Sequence, residues 1–308
     1  MRAHLTMRDL ALTLAVVTLW GFAFVPIKWA LVEVPPFMLA ALRFLFAAVP
    51  AVLVVARPAI PWRAVAAYGL AIGVLQFGLM FLGMHLGMPA GLSSLVMQLQ
   101  VFFTIALTVA FAGDRLHRWN VVGGLVALAG IVVLAAFKLG EGMTGTFAGF
   151  VALIAAALAW GVGNLIAKRS ASADMFQLVV WSSLVPPPVL MLVSFLLEGG
   201  PAPFRALLDA SASTWGWILF LAWGATLFGF SSWNRLLHRY PAPLISPFAL
   251  LIPVSGLASG ALLLGESLAP LQAAGVALVF AGLAVNVLGA RMQAGWALLA
   301  RAGERREP

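Results

Sequence analysis

The sequence has no cysteine. That excludes a disulfide-stapled secreted scaffold and any thiolate metal centre. Charge is scarce too: 9% of the 308 residues are Asp, Glu, Lys or Arg, against about 25% in soluble domains. A water-facing surface cannot be built from so few. Only ten residues are acidic, and each lies near the end of an apolar run or between runs. His-Glu-x-x-His, Gly-x-Ser-x-Gly and phosphate-loop sequences are missing, so no enzyme chemistry, metal or cofactor is expected.

What remains is apolar. Hydrophobic residues make up 63% of the chain and the mean hydropathy is +1.05. Disorder is excluded by that content, and the expected class is an all-α polytopic membrane protein. A bilayer core of about 30 Å takes about 20 helical residues. Ten apolar runs qualify: Leu10–Leu31, Phe37–Ala56, Val65–Leu86, Leu92–Ala112, Val121–Phe137, Phe147–Ala167, Phe176–Leu197, Trp215–Trp233, Leu244–Leu264 and Leu271–Leu288. The loops between them are short and rich in Pro, Gly and charge. A single membrane domain over 1–290 is expected, with a cytoplasmic tail at 291–308. Trp296, Leu298 and Leu299 among arginines suit a short interfacial helix there. The first run exceeds the ~7–15 residues of a signal-peptide core, and Pro26 and Lys28 interrupt its end, so it reads as a retained span.

The net charge of +8 acquires meaning through its placement. Fourteen cations fall in one set of loops and ends: Arg2, Arg8, Arg57, Arg63, Arg115, Arg118, Lys168, Arg169, Arg235, Arg239, Arg291, Arg301, Arg305 and Arg306. The opposite loops hold only Lys138 and Arg205. Positive charge is retained on the cytoplasmic side, so both termini are expected there. No basic stretch interleaved with aromatics lies outside the apolar runs, and no nucleic-acid partner is expected. The partners expected are the lipid bilayer and a small-molecule substrate. The oligomeric state stays open, and a monomer would suffice.

The chain repeats itself. A shift of 152 residues sets Ser94 against Ser246, Gly113-Asp114-Arg115-Leu116 against Gly265-Glu266-Ser267-Leu268, Gly123 against Gly275 and Gly130 against Gly282. A shift of 140 sets Trp20-Gly21 against Trp160-Gly161, and Lys28 against Lys168. Two five-helix halves follow, 1–140 and 141–290. Five is odd, so the halves are expected in opposite orientations, the inverted repeat of secondary transporters.

Trp20-Gly21 with Lys28, Pro36 with Arg43, and the two Gly-(Asp/Glu)-x-Leu segments resemble the EamA family of the drug/metabolite transporter superfamily. The stretch Gly87-Met88-Pro89-Ala90-Gly91-Leu92-Ser93-Ser94, continuing through Gln98, Gln100, Phe102, Phe103 and Thr104, is similar to its amino-acid exporters. These include the O-acetylserine/cysteine type and the YddG aromatic type. The resemblance covers nearly the whole chain. It implies ten helices, inverted halves, and export of amino acids or related metabolites across a bacterial inner membrane.

Ionisable groups inside a membrane cost about 2.5–3.5 kcal/mol each, so each needs a reason. Lys28 lies a turn from the end of its span and either snorkels to the interface or meets a substrate or neighbouring helix. Arg43 is about 10 Å deep, counted from Pro36. It either binds helix-end carbonyls or holds a substrate carboxylate. With His85 these form a candidate charged mouth. Gln76, Met80, Gln98 and Phe102 are candidate cavity residues on spans three and four; Gln98 and Gln100 point about 200° apart, so they cannot share one pore. Trp20 and Trp160, repeat mates deep in their spans, line a cavity or pack helices, with Asn164 a turn beyond Trp160 and Trp223 at similar depth. Pro186, Pro187, Pro188 and Pro253 predict kinks. Pro253 with Gly256 is a candidate hinge, or a static kink.

A cavity of aromatic walls and amides suits a zwitterion with an apolar side chain. The expectation is a secondary transporter exporting neutral or aromatic amino acids, or related metabolites, by alternating access. With no carboxylate at mid-span it is expected to be facilitative or an exchanger. The rivals are carriage of organic phosphates or nucleotide-linked sugars, and a proton-coupled drug or metabolite antiporter. A channel would want a ring of charge or a filter-like loop, and neither is present.

Overall fold

A backbone in lipid must satisfy its own hydrogen bonds, and helices do this locally. The computed structural model describes residues 6–114, 116, 118–140, 144–170, 174–240 and 245–304, with side chains undescribed at 138–140, 144–146, 234, 237, 238, 246, 247, 288 and 290–304. Arg2, Arg115, Glu141, Pro241, Ala242, Leu244, Arg305 and Arg306 therefore lie outside the described residues, as do the side chains of Lys138, Ser246, Arg291, Trp296 and Arg301. Among the described residues every regular element is helical.

In chain order the apolar helices are α1 (Met7–Ala30), α2 (Pro36–Ala51), α3 (Trp62–His85), α4 (Ala90–Ala112), α5 (Arg118–Phe137), α6 (Phe147–Arg169), α7 (Met175–Leu197), α8 (Ala212–Trp233), α9 (Phe248–Leu264) and α10 (Pro270–Val287). Eight are long and apolar enough to cross a membrane; α2 and α9 are shorter. The run expected over 37–56 ends as helix at Ala51, just past Pro50, and turns give way to the Pro58 loop. The tail is not a separate short helix: one helix runs from Pro270 to Glu304.

Several helices depart from ideal geometry, and the departures recur. A π-helical stretch spans Gly69–Gln76 in α3, and another spans Phe220–Phe228 in α8. A shift of 152 residues nearly superposes them. A 3-10 stretch at Met97–Leu99 in α4 has a counterpart at Ser246–Leu250 before α9. Both α4 and α9 end on a left-handed glycine, Gly113 (φ 73°) and Gly265 (φ 66°), again 152 residues apart. Only glycine takes that conformation at no steric cost, which is why it stops both helices.

Helix pairs in lipid are held by close contact, and small residues set the approach. Between α5 and α10, a β-carbon placed on Gly282 would stand 2.5 Å from the Gly123 carbonyl oxygen. One placed on Gly130 would stand 2.6 Å from that of Gly275. As Gly123 faces Gly282 and Gly130 faces Gly275, the two helices run antiparallel. Across the same seam the Asn120 amide donates to Asn286 Oδ1 at 2.6 Å.

The two ends of the bundle are fastened differently. At the Lys28 end, carboxylates cap helix starts: Glu198 accepts from the Phe37 and Met38 amides at 2.8 and 3.4 Å, Glu266 from those of Ala90 and Gly91 at 2.5 and 2.8 Å, and Glu33 from that of Ser211 at 2.7 Å. At the Asp9 end, Asp9 accepts from Tyr240 Oη at 2.7 Å and from Arg239 at 3.2 Å, tying α1 to the chain after α8. Lys168 pairs there with Asp114. The hydrogen bond from Lys168 holds the Asp114 carboxyl below its ordinary value.

Candidate functional site

The two π-helical stretches face one interior space. A π turn displaces a carbonyl from its usual partner and frees it for a side chain, and such turns gather at functional sites. In α8 the Ala225 carbonyl accepts the Trp20 indole N–H at 2.8 Å, and the Leu221 carbonyl accepts the Thr226 hydroxyl at 2.9 Å. The stretch in α3 lies against a broken α7. There the helix from Met175 ends at Ser182, and a new one starts at Pro186. Prolines suit a helix start because they lack the donor that would go unused. A β-carbon on Gly73 would stand 1.9 Å from Pro186 Cγ, so the two segments touch only because position 73 is glycine.

Phe44, Tyr68, Gly73, Phe77, Ser183 and Thr226 are among the residues bounding the cavity that these segments leave. Its volume of about 10 Å³ is close to the room one water needs. That is too small for an amino acid.

Arg43 stands behind two of these residues, Thr226 and Phe77. It is the eighth of the 16 residues of α2 and is 4% exposed, whereas Lys28 and His85 lie near the ends of their helices. Its Nε donates to Thr226 Oγ1 at 3.2 Å, and its guanidinium carbon sits 4.1 Å from the centre of the Phe77 ring. Among the described residues no carboxylate pairs with it. Ser182 and Ser183 pass their hydroxyl hydrogens to the Val179 carbonyl, at 3.1 and 2.7 Å. Their remaining lone pairs can accept from a cation.

Gln76 and Gln98 are each 3% exposed. Among the described residues neither side chain has a hydrogen-bond partner. A buried amide without a partner is costly. Met80 is buried in the main apolar cluster, and Phe102 and Trp160 pack on its edge. Trp160 also joins the smaller cluster around Tyr68 and Ile72, so it stands between the two.

Other candidates lie elsewhere. Asn164 spends both amide hydrogens between helices, on Gln100 Oε1 at 2.8 Å and Thr104 Oγ1 at 2.9 Å. Trp20 packs against Phe230 and Trp233, with centroids 5.3 and 5.4 Å away, as a brace between α1 and α8. Trp223 is half-exposed and donates to the Phe46 carbonyl at 3.0 Å. Lys28 does not snorkel. Its ammonium is held by the Met84 and Met88 carbonyls at 2.8 and 3.1 Å, so the helix-end carbonyls expected around Arg43 belong to Lys28. His85 is exposed at the end of α3. Pro253 and Gly256 are buried, and a β-carbon on Gly256 would stand 2.2 Å from Ser94 Oγ. Close crossing of α9 over α4 accounts for that glycine.

Thr226 and Tyr68 were not singled out from the sequence. Thr226 is the one hydroxyl between Trp215 and Phe230, and that isolation was the available signal.

Comparison with known proteins agrees with this architecture. The model of the EamA-like transporter family matches the chain twice, at residues 7–136 and 147–288. A "probable amino-acid metabolite efflux pump" of Salmonella typhimurium is 42% identical over 290 residues, 93% of this chain and 97% of that one. A protein of the same name from Escherichia coli is 41% identical over 288 residues, 92% and 96% of the two chains. A solved crystal structure at 23% identity superposes with a TM-score of 0.64 over 92% of this chain and 97% of that one, a likeness of fold. The chain belongs to the EamA-like transporter family and is a multi-pass protein of the bacterial inner membrane.

Proposed function

We propose that this transporter exports amino-acid-like metabolites from the cytoplasm by alternating access, down a gradient or in exchange, and carries out no enzyme chemistry. The relatives' names support the substrate class. One structural observation carries the site: Arg43 is buried with no carboxylate to neutralise it among the described residues, and the amides of Gln76 and Gln98 are buried as well. Such groups fit a small zwitterion better than an inorganic cation.

In this reading all ten helices cross the membrane, α2 and α9 included, and the halves 1–140 and 141–290 are inverted copies with both termini cytoplasmic. Several observations support the symmetry. The family model matches once per half, and the π turns and left-handed caps recur after 152 residues. The antiparallel contact of Gly123 with Gly282 is the symmetry image of Gly275 with Gly130. Alternating access then needs only that the halves trade conformations. Carriage of organic phosphates is less well supported, because Lys28 is already engaged by two carbonyls.

The test is uptake of radiolabelled amino acids into liposomes holding the purified protein. Flux that exceeds empty liposomes upholds the reading. Flux of phosphorylated metabolites alone overturns it.

A further inference from the structure

We propose that Arg43 anchors the carboxylate of the exported metabolite, so that a free carboxylate is required for recognition. The inference rests on the exporter reading above and deepens it, by naming the group on the substrate and the residue that reads it.

The geometry singles out Arg43 among the cations. Lys28 is occupied by two carbonyls, Lys168 by Asp114 and Arg239 by Asp9. Arg43 is 4% exposed at the middle of α2, and only its Nε has an acceptor among the described residues. A guanidinium carries five N–H donors in a planar fork. Four are left, all on the two terminal nitrogens, and that pair can grip a carboxylate end-on with two parallel hydrogen bonds. Thr226 gives its own hydrogen to Leu221, so its lone pair is turned to Nε and holds the fork in orientation. The Phe77 ring beneath the guanidinium offsets part of the charge without supplying an anion.

The surroundings complete the complement of an amino acid. Ser182 and Ser183 line one cavity with Thr226 and Phe77, the two residues that Arg43 touches, and their hydrogens are already given to Val179, which leaves acceptors for an ammonium group. Phe44 and Phe77 supply apolar wall. Ser183 occupies the repeat position of Arg43 under the 140-residue shift. The two halves thus contribute one donor set and one acceptor set, which fits a single zwitterion in one orientation.

The experiment compares free amino acids with their methyl esters and decarboxylated amines, as competitors of flux in proteoliposomes and as thermal stabilisers of the detergent-purified protein. Wild type, Arg43→Lys and Arg43→Gln are measured. The wild type is expected to prefer the free acid over ester and amine by about tenfold or more. Arg43→Gln should lose that ratio, and Arg43→Lys should keep part of it. Equal competition by acid and ester in the wild type overturns the anchor, as does an unchanged ratio in Arg43→Gln. If Arg43→Gln does not fold, Arg43→Lys with an undiminished ratio overturns it and a reduced ratio upholds it. Should no amino acid be transported, the exporter reading fails by itself. Stabilisation by simple monocarboxylates that is lost in the Arg43 variants then still upholds the anchor, and its absence overturns it.

Discussion

Glu266 accepts the amide hydrogen of Gly91 at 2.8 Å, so the turn after α9 caps the start of α4, 175 residues away in the chain. Both residues sit beside tight contacts. A β-carbon on Gly260 would stand 2.4 Å from Glu266 Oε2.

This cap is expected to matter for stability. A side-chain cap is worth about 0.5–2 kcal/mol, and a charged acceptor lies at the upper end. Glu266→Ala should lower the melting temperature of the purified protein by several degrees, and Gly260→Ala should do the same by pushing the carboxylate off the amides. A melting point unchanged in both variants would remove the cap from the account.

The α5–α10 seam makes a sharper distinction. Gly282→Val places a branched side chain where even a β-carbon meets Gly123 O at 2.5 Å, whereas a β-carbon on Gly124 meets nothing nearer than 3.6 Å. The expected cost at position 282 is about 2 kcal/mol or more, with little effect from Gly124→Ala. Membrane abundance and size-exclusion profiles of the two variants check this.

Acid should loosen the Lys28 end. Glu33, outside the spans, accepts the Ser211 amide and hydroxyl at 2.7 and 2.8 Å, and these bonds hold its carboxyl below the ordinary 4.5. A depressed folded-state value means that the stabilisation is complete above 4.5 and fades as pH falls through the lowered value. Melting curves taken from neutral pH to well below 4.5 should therefore decline less steeply for Glu33→Gln than for wild type. Identical slopes would show that the contact contributes nothing to acid sensitivity.

Within the interior, Gln98→Ala and Trp160→Ala should abolish export without lowering membrane abundance, because both are expected to border the substrate's path. Transport by both variants at normal protein levels would displace the path from these residues.

Much of the architecture is legible in the sequence because lipid demands long apolar runs and helix stops, and Gly113 and Gly265 mark two such stops 152 residues apart. The π turns are not legible. They depend on how α3 meets the break at Pro186, a tertiary contact with no residue signature of its own. The cations show the same limit. Spacing gives the depth of Lys28 and Arg43 but not their neighbours, and the carbonyls lie around Lys28 while Arg43 meets Thr226 and Phe77. The partners of Asn164 are hidden for a related reason, since Gln100 and Thr104, which take its amide hydrogens, lie on a neighbouring helix.

The export proposed here is facilitated, of a small zwitterion, through helices that carry no carboxylate at mid-span among the described residues. Its most direct test is flux of radiolabelled neutral and aromatic amino acids in proteoliposomes, with and without an imposed pH gradient. Flux along the substrate gradient is expected to persist when the pH gradient is absent. Flux that vanishes without a pH gradient would contradict it, and so would flux confined to phosphorylated metabolites.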